Sequence, residues 1–521
     1  MSLLCINKLT SIIVLLATCC RQAKPMSLPS RAQRPYDLVL VGSTGFTGKL
    51  ASNYLALRLV DWSSPPITWA ITGRSLSNLH ALRSELLAAV PSAPPPDIIV
   101  ADLERDGADT LKEKIASQTK VVLSTAGPFA KYGNDLVAAC VTAGTDYCDI
   151  TGEVDWVRGL IRKHDAAAKQ SGARIVPFCG HDSVPWDLLT LAVATRLGAD
   201  DDGVLRTQST SKTQEGTLED KRLGGTRKGE ALSRISFEDD IQATASGGSI
   251  ATIYHAVSHS TNALDGDSVQ DDDTRGADPL TWTSPKEQGG ASIAPETVSA
   301  LPLLPRWSRK ARGGQGSWTG PFLMATVNAE AVKRSNALLS YSTPVSSSSL
   351  SPSSALLSTS APTSSPSSPL IYEECKLHGS FFSAASDLAS LALFALSFKV
   401  SPLRALLKAT VLPAPGQGPS AQEMARGYLR VKAVGVGATT GALVEAQLSF
   451  EDDPGYRETA RMLCEAALCL LEDRRQGPDL EAQEAIIEGG LLTPASCMGL
   501  RLLSRLCETG CCFSISDPVA P

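Results

Sequence analysis

The run Gly42, Ser43, Thr44, Gly45, Phe46, Thr47, Gly48 constrains this chain more than any other stretch. It follows the β-branched, apolar segment YDLVLV at 36–41 and precedes a helical stretch over 49–60. A G-x-x-G-x-x-G pattern therefore sits at a strand-to-helix turn. There the first glycine allows the sharp bend, the second lets backbone approach a diphosphate, and the third lets the helix pack close on its strand. Backbone amides and the positive end of the helix dipole then face the phosphates. A tight turn without chemistry is the competing reading, and the flanking strand and helix favour a dinucleotide.

The next strand-like segments refine that expectation. ITWAIT at 67–72 ends in Gly73, Arg74 and Ser75, with no carboxylate beside them. A free ribose hydroxyl usually meets an acidic residue at this strand end, whereas a 2′-phosphate meets arginine, so NADP (NADPH) is expected. A solvated surface arginine is the alternative. DIIVA at 97–101 ends at Asp102, a candidate adenine-side contact. KVVLS at 120–124 runs into Thr125, Gly127 and Pro128, with Tyr132 at the start of the following helix, where the nicotinamide half would lie. Alternating strands and helices throughout 36–180 predict an α/β doubly wound parallel sheet of Rossmann type.

Candidate proton donors lie at two later strand ends. Tyr147 and Asp149 alternate with Cys148, so one strand face carries both toward a cleft or into the interior. Thr151 and Glu153 serve either the cleft or the cap of the helix over 154–170. His181, Asp182 and Ser183 place an imidazole, a carboxylate and a hydroxyl in succession before another helix. Imidazole is the side chain suited to proton relay near neutral pH, and capping by Asp182 and Ser183 competes. The candidate catalytic set is His181, Asp182 and Tyr147. No G-x-S-x-G elbow accompanies them, which argues against serine hydrolysis. No metal site is expected, because His255 and His259 lack the H-E-x-x-H glutamate and the C-terminal Cys507, Cys511 and Cys512 form no C-x-x-C pair.

Composition bounds the rest. The 521 residues allow two or three domains, and 43% hydrophobic content allows a real core. A net charge of -6 argues against nucleic-acid partners, which call for a basic footprint. Thirteen scattered cysteines point to reduced thiols rather than a disulfide framework. Residues 1–34 read as a leader or disordered extension: an apolar stretch at 11–20 lies between Lys8 and Arg21, too short to cross a membrane. Residues 35–190 form the NADP-binding domain, and 191–515 form a second α+β domain for substrate or dimerisation. Its Ser/Pro-rich segment at about 340–369 is expected to be disordered. The apolar segment at 381–407 reads either as an interfacial helix or hairpin on lipid or as a buried helix pair. An antiparallel strand pair at 427–436 and 442–450 and two closing helices follow.

The motifs GSTGFTG, ITGRS, STAGPFAKYGNDLVAACVTAGTDYCDITGE and PFCGHDSVPWDL together resemble the saccharopine dehydrogenase-like oxidoreductases, a group that includes the trans-acting enoyl reductases of glycolipid assembly. Looser similarity continues at 224–226, 321–339, 413–420 and 489–494. The resemblance implies NADP-dependent hydride transfer to an enoyl or keto group of a lipid-like substrate held between the two domains. It also implies membrane or lipid-droplet association in some members, which places this chain at such a surface, or in an organelle reached through the leader, with the cytoplasm as alternative. A homodimer is a further expectation. His181 departs from the apolar or aromatic residue that relatives carry before Asp-Ser. A lipid-surface Rossmann scaffold that senses cofactor without turnover remains the alternative function.

Overall fold

From Asp37 to Val41, every residue of β1 (Tyr36–Val41) is buried. A strand hidden on both faces belongs inside a parallel sheet covered by helices, which its β-branched, apolar residues suit. The computed structural model describes residues 31–62, 65–198, 230–243, 278–281, 297–299, 304–308, 317–342, 369–399, 418–476 and 489–521. In it β1 pairs in parallel with β2 (Trp69–Gly73) and β4 (Thr119–Ser124). The strands β3 (Asp97–Val100), β5 (Asp146–Asp149) and β6 (Arg174–Val176) extend the sheet on either side. The expected Rossmann order results, with the strand direction of travel reversing between β1 and β4. Ligands of open α/β sheets bind at such a switch point, beyond the carboxyl ends of the strands. The crossovers include α1 (Phe46–Arg58), α2 (Leu76–Ala89), α3 (Asn134–Ala143) and α4 (Val154–Ser171).

The next helix, α5 (Val184–Gly198), leads into the second layer. There a mixed sheet runs β15 (Cys512–Ile515), β13 (Leu443–Phe450), β12 (Tyr428–Gly437), β7 (Leu232–Gln242), β11 (Leu370–His378), β10 (Ser317–Gly320), β9 (Arg306–Ser308). The short β8 (Thr297–Ser299) also pairs with β11. The expected antiparallel pair is β12 with β13. Helices α6 (Ala325–Leu339) and α7 (Phe381–Lys399) belong to this half, and α8 (Thr459–Gln476) and α9 (Pro494–Glu508) follow.

Three expectations change. The parallel sheet is not confined to 35–190, because β14 (Gly490–Leu491) pairs with β6 as its outermost strand and α8 packs on α1 and β4. A two-residue strand carries no periodicity from which to foresee this. The folded chain starts before residue 35: Arg34 donates to the carbonyls of Thr119 and Ala143 and to Thr145 Oγ1, and Arg31 donates to Gly172. A lone arginine announces no such anchorage. Likewise, Tyr341 and Ser342 are buried, so the start of the Ser/Pro-rich segment belongs to the core, while 343–368 lie outside the described residues. The 1–30 stretch, His255 and His259 lie outside them too.

The segment at 381–407 is helical to Lys399. Phe382 is 83% exposed, and Phe381, Leu393 and Leu396 are also exposed, unlike a buried helix. Among the described residues, no helix is long and apolar enough to cross a membrane.

Candidate cofactor and active site

The glycine turn is built so that only glycine fits it at two positions. Gly42 has φ +80°, and a Cβ there would lie 3.0 Å from both the Ala126 amide nitrogen and Thr125 Oγ1. A Cβ on Gly48 would lie 2.1 Å from the Gly42 carbonyl oxygen, so any side chain would push α1 off β1. Gly45 occupies the N-cap of α1, and no side chain caps that end. Uncapped first-turn amides at the switch point form the cradle that a diphosphate requires. Thr125 Oγ1 donates to the carbonyls of Val41 and Gly42 and so stitches the β4 loop to this turn.

Two residues of the run offer backbone alone. The Ser43 hydroxyl donates to the Thr72 carbonyl at 2.9 Å and is fully buried. The Phe46 ring turns toward the second domain, edge-on to Tyr456 at 5.2 Å and under Gly418. At the end of β2, Gly73 lies against Thr44. Arg74 is exposed and makes no hydrogen bond or ion pair with any described residue. Ser75 caps α2 by accepting from the Asn78 amide. Asp102 is occupied within its own turn, accepting from the Glu104 amide at 3.0 Å.

On the nicotinamide side, Gly127 and Pro128 share a cis peptide bond, and Tyr132 accepts from Lys131 at 2.8 Å. Behind them stands a contact that sequence reading missed. The buried Glu153 carboxylate accepts from the amides of Phe129 and Ala130 at 2.7 and 2.9 Å. Glu153 therefore caps a neighbouring helix rather than α4, whose N-cap it occupies without a side-chain bond. Thr151 accepts from the Glu153 amide.

Tyr147 and Asp149 do share one face of β5, and both are fully buried. Tyr147 donates to Asp149 at 2.8 Å. Burial pushes the Asp149 carboxyl up to about 7, against hydrogen bonds from the Thr151 amide and Tyr147. Burial likewise drives the Tyr147 phenol well up, with the adjacent Asp149 adding to it.

His181 is 5% exposed, with Nδ1 2.8 Å from Asp182 Oδ1. Its Nε2 is buried without a hydrogen-bond partner among the described residues. Asp182 thus serves the imidazole, and Ser183 donates to the Asp182 carbonyl in the turn before α5. The His181 ring meets the Trp186 edge at 5.5 Å, and Trp186 meets Phe322 at 5.9 Å. Gly152 faces Val327 and Met324 of the second domain. Trp186 and Phe322 thus set apolar rings beside the imidazole.

Beneath Trp186 lies a second feature that sequence reading missed. Trp186 Nε1 donates to Asp239 at 3.1 Å, and Asn328 and Tyr372 donate to Glu374. Burial raises both carboxyls, Glu374 to about 7, and the neighbouring Glu374 raises Asp239 further. Period-two alternation was the available signal: Leu370, Tyr372 and Glu374 share the inward face of β11, as Ile235, Phe237 and Asp239 share that of β7. Among the described residues, no group of three His, Cys, Asp or Glu side chains could hold a metal ion.

Residues 38–176 match the family described as the saccharopine dehydrogenase NADP binding domain. The trans-acting enoyl reductase of Mycobacterium ulcerans is 32% identical over 496 residues, covering 92% of this chain and 98% of that protein. A Mycobacterium tuberculosis (strain ATCC 25618 / H37Rv) protein, provisionally named as such an enzyme, is 33% identical over 484 residues, or 92% of this chain and 96% of its own. The chain belongs to the saccharopine dehydrogenase-like oxidoreductases. The apo saccharopine dehydrogenase (L-Glu forming) of Saccharomyces cerevisiae superposes with a TM-score of 0.46 at 12% identity, covering 93% of this chain and 100% of that one. This oxidoreductase binds NADP, and the glycine cradle fits its diphosphate: a Cβ at Gly48 would destroy the turn, and no side chain among the described residues caps the start of α1. The cofactor, when bound, supplies the hydride.

Proposed function

We propose that this oxidoreductase reduces an enoyl or keto group of a lipid-like substrate, with His181 as proton donor. The observation that carries the reading is the buried Nε2 of His181, without a hydrogen-bond partner among the described residues, beside the Trp186 ring that packs on Phe322. The relatives named as trans-acting enoyl reductases support it.

In this reading the amides of the Gly42–Gly48 turn hold the diphosphate, and the unpaired Arg74 guanidinium holds the 2′-phosphate. Thr125, Gly127, Pro128 and Tyr132 border the nicotinamide, with Glu153 fixing that loop from behind. Asp182 accepts from His181 Nδ1–H, which orients the ring and leaves Nε2 to carry the transferred proton. The Trp186 and Phe322 rings keep water from the reacting carbon. Tyr147 stays bonded to Asp149 and supports the loop from within.

The test is NADPH consumption by the purified full chain with a panel of enoyl and keto lipids and their short polar counterparts. Turnover confined to acyl chains supports the reading. Turnover confined to polar substrates, or none with any lipid, overturns it.

The exposed Phe381, Phe382, Leu393 and Leu396 on α7 favour a second element of this reading, that the helix rests on a lipid surface where its substrate resides. Flotation with phospholipid vesicles, lost on Phe382→Ser with Leu393→Ser, would support it. Unchanged flotation would remove it.

A further inference from the structure

Far along the chain from the cofactor cradle, the last turn of α9 and the start of β15 bring two thiols together. Cys511 Sγ lies 3.5 Å from Cys507 Sγ and donates to it. Cys507 is partly exposed, whereas Cys511 is 5% exposed within the core. The gap exceeds a disulfide bond by about 1.5 Å. The turn between them is held by hydrogen bonds from Gly510 to the Cys507 carbonyl and from Cys511 to the Leu506 carbonyl. Gly510 has φ +119° and lies against Arg461, whose guanidinium donates to the Thr509 carbonyl.

The two sulfurs are chemically unequal. The hydrogen bond from Cys511 lowers the Cys507 thiol below its ordinary value, with Arg461 helping, against burial and the charge of Glu508. The same hydrogen bond and burial push the Cys511 thiol up. A partly exposed, more acidic thiol beside a buried partner is the arrangement of an attacking and a resolving cysteine.

We propose that Cys507 and Cys511 form a reversible disulfide on exposure to hydrogen peroxide, with Cys507 reacting first. The Cys507 thiolate attacks one peroxide oxygen, the O–O bond breaks, and the departing hydroxide takes up a proton to leave as water. Cys507 is then a sulfenic acid. The Cys511 sulfur attacks the Cys507 sulfur, the S–O bond breaks, and the Cys511 proton leaves with that oxygen as a second water. The thiols lose two electrons and the peroxide gains them; a dithiol reverses the reaction by exchange. The bond would tie the end of α9 to β15, the edge strand paired with β13.

The test uses the full chain carrying Cys512→Ser, which removes the exposed neighbouring thiol. It is treated with hydrogen peroxide, alkylated without reduction and digested with a protease that cuts after glutamate. Glu508 lies between the two cysteines, so a disulfide keeps the two resulting peptides joined. The expected result is a joined pair, two hydrogens lighter than the separate peptides, that dithiothreitol releases. Cys511→Ser should instead leave Cys507 as a sulfenic acid trapped by dimedone. Peptides that stay separate and alkylated after peroxide overturn the proposal. So does Cys507 driven to sulfinic acid without joining, or a Cys511–Cys512 link in the unsubstituted chain.

Discussion

Glu153 holds the Phe129 amide at 2.7 Å, and through it the loop after β4 is fastened to the loop after β5. The same carboxylate takes the Ala130 amide. Glu153→Ala would leave the buried Phe129 amide and the part-buried Ala130 amide unpaired, at about 1–3 kcal/mol for a buried unpaired group. Urea unfolding should therefore show a midpoint well below that of the unsubstituted chain. An unchanged midpoint would mean that water replaces the carboxylate without cost.

Gly48→Ala places a methyl group where only 2.1 Å separates it from the Gly42 carbonyl. The first turn of α1 must move, and its amides lose their aim at the diphosphate. NADPH affinity should fall at least about tenfold, or about 1.4 kcal/mol, in a fluorescence titration. Far-ultraviolet circular dichroism should retain the helical signal, which separates lost binding from lost folding.

Arg74 stands exposed just past β2, without an ion pair to any described residue. Arg74→Ala should weaken NADPH by roughly tenfold or more, the scale of charge-assisted hydrogen bonds to a phosphate, and leave NADH unchanged. Equal losses for both cofactors would place the side chain away from the 2′-phosphate.

Asp149 carries a pH signature in stability. Its folded carboxyl keeps a proton up to about 7, whereas the ordinary value is 3.8. The folded state thus binds the extra proton between those values, so this residue's stabilisation is complete below the lower one and is lost as pH rises toward the upper. Asp149→Asn should flatten the decline in unfolding free energy from about pH 4 to 7 by on the order of 1 kcal/mol per pH unit. Denaturant titrations at stepped pH measure it. Asp187, Glu374 and Glu458, each pushed up to about 7, retain slopes of the same sign in that variant.

His181→Gln should lower kcat by about 10²- to 10⁴-fold, the usual worth of a positioned proton donor, with NADPH affinity unaltered. Asp182→Asn should act more weakly and in the same direction, because it disturbs the ring's partner and leaves the ring in place. If His181→Gln turns over normally, the proton comes from another group.

Most of the nucleotide half was legible because its signals are local. YDLVLV followed by spaced glycines sets β1, the turn and α1 within a few residues, and Arg74 follows the next strand directly. What escaped is tertiary. Glu153 reads locally as a cap for α4, yet its carboxylate reaches back to Phe129 and Ala130. Asp239 and Glu374 lie far apart in sequence and meet only because β7 and β11 pair in parallel. The sequence leaves Tyr147 and Asp149 free to face either cleft or core, and packing against α3 and α4 decides for the core.

The return of Gly490 and Leu491 to the edge of the parallel sheet sets an order on biosynthesis. Strand β1 leaves the ribosome long before the outermost strand, β14, is made. Arg174 must likewise wait for Asp473, and Asp187 for the Ala495 amide. A nascent chain therefore holds an unfinished sheet edge until β14 has been joined, and the nucleotide-binding half cannot complete its sheet before then.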